Sequence, residues 1–197
     1  MAKTRENKNI TAFKSALLGG GARPNLFEVE LTTLPEGITG WSAENFRYMC
    51  KAASLPASNI AAIDVPFRGR IFKVAGDRTF DTWTVTIIND EGFILRNAFE
   101  NWMDAISLLA NNMGATNPSS YMTNAKVYQL GRGAKINSED SKGEKNVVLK
   151  EYEFVDIFPT TVSEIALSYD TGDTIEEFDV EFQVQSLNLT GTGSPNG

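Results

Sequence analysis

The 197 residues include no histidine and a single cysteine, Cys50. Without histidine there is no His-based triad, no imidazole general base and no imidazole zinc ligand, and one thiol makes neither an intrachain disulfide nor a thiolate cluster. Cys50 stands in an apolar-rich stretch, where the expected role is a buried structural thiol in a reducing compartment. No run approaches the ~18 apolar residues of a membrane-spanning helix, and the charged start Met1 to Asn9 is not followed by the apolar stretch of a secretory leader. The chain is therefore expected to be neither exported by a standard signal nor inserted in a membrane. Basic residues are in the minority: 18 Lys and Arg against 25 Asp and Glu leave a formal net charge of −7. That is the wrong sign for a protein that binds nucleic acid by neutralising phosphates. The glycine run Gly19-Gly20-Gly21 has no Lys-Ser or Lys-Thr after it and no strand before it, so it reads as a hinge and not as a phosphate cradle.

Chemistry would have to rest on carboxylates. A β-sandwich glycosidase needs only two acidic residues across a cleft, but the pairs Glu151 with Glu153 and Asp179 with Glu181 fall on the wet side of strands. The acidic run Asp170 to Glu177 lacks the ligand spacing of a calcium loop. No catalytic residue, metal ligand or cofactor is assigned, and the chain is expected not to be an enzyme.

Periodicity is strongest in the middle of the chain. Trp83, Val85 and Ile87 alternate with Thr82, Thr84 and Thr86, the pattern of a strand with one buried face. Gly76-Asp77 is expected to supply the turn before it, and Asn89-Asp90-Glu91 to cap a helix whose apolar stripe is Leu95, Ala98, Phe99, Trp102, Ile106 and Leu109. Upstream, Ile10 to Leu18 suggests two helical turns, a half-buried strand starts at Asn25 after Pro24, and Phe46 to Ala53 reads as a second strand. The runs Ile60 to Val65 and Arg70 to Val74, around Pro66-Phe67-Arg68-Gly69, suggest a projecting hairpin with Arg68, Arg70 and Lys73 as a small basic group.

Downstream, Asn111 to Asn124 has loop composition and Ala125 to Leu130 is a strand. Asn137 to Asn146 is a polar loop, Val147 to Phe158 a strand stopped by Pro159, and Glu164 to Tyr169 a short strand. The cleanest alternation is the last, residues 178–188, with Phe178, Val180, Phe182 and Val184 against Asp179, Glu181, Gln183 and Gln185. Eight or nine strands and one major helix specify a mainly β chain, an antiparallel β-sandwich or barrel with one flanking helix. The organisation expected is an N-terminal arm with a glycine hinge (1–21), one β domain (22–189) and a flexible tail (190–197).

Three collinear segments carry a resemblance. Val74-Ala75-Gly76-Asp77-Arg78-Thr79-Phe80-Asp81-Thr82-Trp83-Thr84-Val85 closely resembles the signature of the tail tube proteins of contractile-tailed phages. Ala22-Arg23-Pro24-Asn25-Leu26-Phe27-Glu28-Val29-Glu30 and Cys50-Lys51-Ala52-Ala53-Ser54-Leu55-Pro56-Ala57 match in the same order. The resemblance covers roughly Ala22 to Leu187 and marks Arg23, Pro24, Asn25, Phe27, Gly76, Asp77, Arg78, Phe80 and Trp83 as structural signature positions. It implies six copies closing into a ring, and rings stacking into a hollow tube inside a contractile sheath. The implied partners are copies of the chain itself, the sheath, baseplate and terminator proteins, and a tape measure protein and then DNA passing through the lumen without specific binding. The implied location is the virion, after assembly in the host cytoplasm. On that reading Asp179, Glu181, Gln183, Gln185, Thr82, Thr84 and Thr86 are candidates to face the lumen, and Arg68, Arg70 and Lys73 to touch the next ring. A type VI secretion or related injection tube is the neighbouring alternative. A carbohydrate-binding or hydrolytic β-sandwich is the alternative of another class.

Overall fold

A computed structural model describes residues 9–17, 21–111, 113–131, 148–170 and 172–190. Among them the elements run in the order α1 (Ile10–Ala16), β1 (Phe27–Glu30), α2 (Ala43–Met49), β2 (Cys50–Ala53), β3 (Ser58–Phe67), β4 (Arg70–Phe80), β5 (Trp83–Ile88), α3 (Ile94–Ile106), β6 (Thr123–Leu130), β7 (Val148–Val162), β8 (Glu177–Gln183) and β9 (Ser186–Thr190). A short 3₁₀ turn, Pro118–Ser120, precedes β6. One sheet has the order β1-β6-β7-β8-β5-β2, with β9 paired to β7, and β3 and β4 form a second, two-stranded sheet. The mainly β, antiparallel class expected from the sequence is what the chain adopts. The described residues fall into two compact units, one of residues 29–127 and 152–190, the other of the described residues before 29 and between 128 and 151.

The core of the larger unit follows from two alternating strands. β5 and β8 pair antiparallel in the register Trp83↔Phe182, Val85↔Val180 and Ile87↔Phe178, so their apolar residues share one face. All six are buried. Helix α3 covers that face with Leu95, Ala98, Phe99 and Trp102, the four residues of the expected stripe that do become buried. The Phe99 ring lies 5.9 Å from Phe182, 5.6 Å from Trp41 and 6.1 Å from Phe46, so one aromatic cluster ties α3 to both α2 and the sheet. Arg96 fastens the helix from its polar side: Nη1 donates to Ser163 O at 2.8 Å, Nε to Glu100 Oε1 at 2.6 Å, and the guanidinium lies 5.2 Å from the Phe178 ring.

Several expectations are corrected. Residues 43–49 form α2 and not the first half of a strand, because Ser42 caps a helix there: its hydroxyl accepts from Asn45 N at 3.2 Å, with Glu44 in the first turn. The expected strand thus shrinks to β2. Asn25 is likewise no strand start. Arg23, Pro24, Asn25 and Leu26 make a turn, closed by Leu26 N donating to Arg23 O at 3.2 Å, with proline at the second position, where its fixed φ is favourable. The helix after β5 begins at Ile94, later than foreseen, with Asp90 Oδ1 accepting from its N–H at 3.2 Å. It ends at Ile106, leaving Leu109 outside the helix and exposed.

Pro159 does not stop β7. The strand runs on to Val162, and the register against β8 shifts between Pro159 and Thr161, a bulge that accommodates a residue unable to donate to the ladder. A second irregularity in β7 is Asp156, with φ +54 and its N–H bonded to Asn124 Oδ1 at 3.0 Å. Residues 164–169 form no strand; Leu167 and Tyr169 are exposed and Ile165 is only half-buried, so little rewards an extended pairing there. The last predicted strand is two: β8 ends at Gln183, and β9 leaves it to pair with β7. The loop 137–146, Gly19, Gly20 and the tail 191–197 lie outside the described residues.

In the smaller unit, Asn9 caps α1 by accepting from Ala12 N at 2.7 Å, yet α1 buries none of its residues. The segment leading to β1 is held by Gln129, whose Nε2 donates to Arg23 O at 2.8 Å and Leu26 O at 2.7 Å, and by Leu130 N, which donates to Leu26 O at 2.8 Å.

Candidate functional site

Two surfaces of the larger unit carry the residues singled out in the sequence, and both are built by strand pairing. The first is the outer face of β5 and β8. The register places Thr84 opposite Glu181 and Thr86 opposite Asp179, and Thr86 Oγ1 donates to Asp179 Oδ1 at 2.6 Å. Gln183 follows two residues after Glu181 on the same side of β8. Four of the seven candidates are thus neighbours and a fifth is in line with them. Thr82 and Gln185 are not: Thr82 lies in the link before β5, and Gln185 in the bend between β8 and β9. Lys51 was missed. Its Nζ meets both carboxylate oxygens of Glu177, at 2.6 and 2.8 Å. A lysine one residue past the only cysteine gave no signal of a carboxylate more than a hundred positions away. This exposed pair contributes little to stability, but it neutralises the Glu177 end of the face and leaves Asp179 and Glu181 as its charge.

The second surface is the hairpin of β3 and β4. Its turn is Arg68-Gly69, with φ of +44 and +81, the left-handed pair that a tight two-residue hairpin needs. Pairing of Ile63 with Val74 and Val65 with Phe72 gathers Ile63, Val65, Phe67, Phe72 and Val74 on one side. All five are exposed, Phe67 and Phe72 at 67% each. A lone two-stranded ribbon is marginal in water, and an apolar side of this kind marks a contact surface. The expected basic group is divided by the same pairing. Arg68 sits at the turn with its guanidinium 5.4 Å from the Phe67 ring, and Arg70 pairs with Phe67 across the ladder. Lys73 points to the other side and is neutralised by Asp64 at 2.7 Å.

Gly76-Asp77 is not a turn. It lies within β4 as a bulge opposite Ala61, where the register shifts between Ile60 and Ala62. A Cβ at Gly76 would stand 3.0 Å from Ala61 O and 3.1 Å from Ile63 Cγ1, so the glycine permits a close backbone approach. Asp77 and Arg78 are exposed on the ribbon, Phe80 and Phe27 are half-buried and Trp83 is fully buried. The chain passes from β4 to β5 through Asp81-Thr82, where Asp81 N donates to Ala57 O at 3.0 Å and Asn59 Nδ2 to Asp81 Oδ1 at 2.8 Å. Cys50, expected to be buried, is half-buried at the start of β2, and burial pushes its thiol up to about 12. No helix of the described residues is long and apolar enough to cross a membrane.

Residues 22–189 match the family model of the phage tail tube protein. The chain is a member of that family. It is 38% identical over 169 residues to the tail tube proteins of Enterobacteria phages T4 and T6, a span of 86% of this chain and 90% of each relative. The fold is also that of a subunit in the sheath-tube complex of an extracellular contractile injection system, at 12% identity and a TM-score of 0.56 over 94% of this chain and 99% of that one. A subunit of the anti-feeding prophage cap matches at 17% identity and a TM-score of 0.57, over 87% and 91%. This tail tube chain is accordingly a structural subunit of a virion tail and not an enzyme.

Proposed function

We propose that six copies of this chain close into a ring and that rings stack into a hollow tube inside a contractile sheath, through which DNA leaves the virion. The observation that carries the lumen assignment is the acidic and hydroxylic outer face of β5 and β8, with Thr84, Thr86, Asp179 and Glu181 brought together by register. A wall that bound phosphates would hold the duplex at every ring, whereas carboxylates and hydroxyls leave it free to slide. The repulsion reaches about a Debye length, ~8–10 Å at physiological salt, so it coats the wall without closing a wide channel.

Ring closure has its own physical motive. The path of the larger sheet ends at β1 and β2, and the end strands of a sheet are where a neighbouring copy can continue it. The exposed hairpin, with Arg68, Arg70 and Lys73 near its tip, and the two termini supply contacts to the adjacent ring. Removing residues 1–18 or 190–197 should then impair stacking more than folding. Sheath, baseplate and terminator proteins are the partners outside and at the ends, and the tape measure protein occupies the lumen before DNA does. Assembly takes place in the host cytoplasm, and 22–189 is the tube domain between the two arms.

The test is to change Asp179 and Glu181 to Lys in a phage that still builds tails and to follow DNA ejection at low and high salt. Ejection should slow and recover as salt is added. Unchanged ejection through intact tubes would show that this face is not the lumen wall.

A further inference from the structure

We infer that the hairpin tip of one copy docks in a groove at the C-terminal end of α3 on a second copy. The inference rests on the self-assembly reading above and names the place where the hairpin goes. The groove has a volume of about 660 Å³, and its lining includes Glu36, Asp104, Ala105, Leu108, Met113 and Tyr121. It is a constructed site. Leu108 N donates to Met113 O at 3.0 Å and Ala115 N to Ala105 O at 3.2 Å, and a Cβ at Gly114 would fall on the Ile106 carbonyl. One wall is therefore pressed against the helix end as closely as backbone allows. Its lining joins apolar side chains to two carboxylates and no cation: Leu108 and Met113 are exposed at 44% and 67%, and neither Glu36 nor Asp104 meets a cation among the described residues.

The hairpin tip is its chemical complement. Phe67 and Ile71 are exposed at 67% and 64%, and neither Arg68 nor Arg70 meets a carboxylate among the described residues. Arg68 already lies over the Phe67 ring, so aromatic and cation are presented as one unit. Docking puts Phe67 against Leu108 and Met113 and the Arg68 guanidinium between Glu36 and Asp104, where a desolvated carboxylate pair is strongest. The two surfaces are different parts of the same chain. The contact is thus heterologous, each copy giving a tip and receiving one, and it propagates around a ring or along a stack.

The test compares purified wild-type chain, Arg68→Glu, Asp104→Arg and the two combined, with assembly followed by sedimentation and negative-stain microscopy. Circular dichroism melting of dilute subunits checks that each variant folds. Either single reversal should raise the concentration needed for assembly at least about tenfold, and the combination should recover most of that loss. A second measurement places Phe67→Cys and Leu108→Cys in one chain: oxidised assemblies should give a ladder of linked copies that neither single cysteine gives. Arg68→Glu chains that assemble at the wild-type concentration, or a double-cysteine chain that forms no ladder within intact tubes, would overturn the docking while leaving tube formation standing. A wild-type chain that never assembles would overturn both.

Discussion

Replacing Trp83 tests whether the core described above is what holds the subunit together. Its side chain has no exposed surface, and its ring lies 4.7 Å from Phe154 and 5.1 Å from Phe182. Trp83→Ala removes a large buried ring and both aromatic contacts, and the rigid sheet around it cannot collapse into the void, so the loss should be ~3–5 kcal/mol. Trp83→Phe separates packing from polarity. Trp102 Nε1 donates to Tyr121 O at 2.8 Å and Trp41 Nε1 to Leu31 O at 3.2 Å, but the buried Trp83 Nε1 has no partner among the described residues. An unmade bond of that kind costs about 1–3 kcal/mol. Phenylalanine removes the orphan donor while retaining a ring between Phe154 and Phe182, so its net cost should be at most about 1 kcal/mol. Urea unfolding of dilute subunits, followed by far-ultraviolet circular dichroism so that the lost fluorophore does not matter, gives both numbers. A Trp83→Phe loss as large as that of Trp83→Ala would mean the indole N–H is bonded. Trp83→Ala chains of ordinary stability that fail only to assemble would move the residue from core to interface.

Gly114→Ala should destabilise by ~1–3 kcal/mol or prevent folding, since its Cβ would overlap the Ile106 carbonyl; a melting temperature equal to wild type would show that the loop yields. Phe93 enters α3 with φ +51 and ψ 28, so Phe93→Gly should gain about 1 kcal/mol in the same urea assay, and a loss would mean that its ring does more than its backbone costs. Burial pushes the Cys50 thiol from about 9 up to about 12, which has two consequences. Alkylation of folded subunits at pH 8 should lag far behind that in urea, and equal rates would refute the burial. The folded chain also keeps the proton where the unfolded chain loses it, so this stability is fully present below pH ~9 and declines as the pH rises towards ~12. Cys50→Ala should flatten that alkaline decline.

Much of the core was legible because alternation is a local property. Trp83, Val85 and Ile87, and Phe178, Val180 and Phe182, announce a buried face without reference to anything distant, and Leu95, Ala98, Phe99 and Trp102 announce the helix that covers it. The hairpin was legible as well, through Arg68-Gly69 between two apolar runs. Local chemistry carries two further features: Ser42 with Glu44 is a helix start, and proline between Arg23 and Asn25 is a turn.

Tertiary pairing decided the rest. Gly76 serves equally well in a turn or a bulge, and only the pairing of β4 with β3, whose register slips between Ile60 and Ala62, selects the bulge. Pro159 ends a strand unless the partner's register slips to absorb it, as β8 allows. The acidic face became a face because β5 lies against β8 in one register and no other, bringing Thr86 to Asp179 across 93 residues of sequence. The groove beside α3 was invisible beforehand, since Glu36, Asp104 and Met113 share no pattern along the chain and meet only when the loop at Gly114 closes on the helix end. Period and capping are written within a few residues, whereas register, bulges and concave surfaces are set by which strand or loop lies alongside.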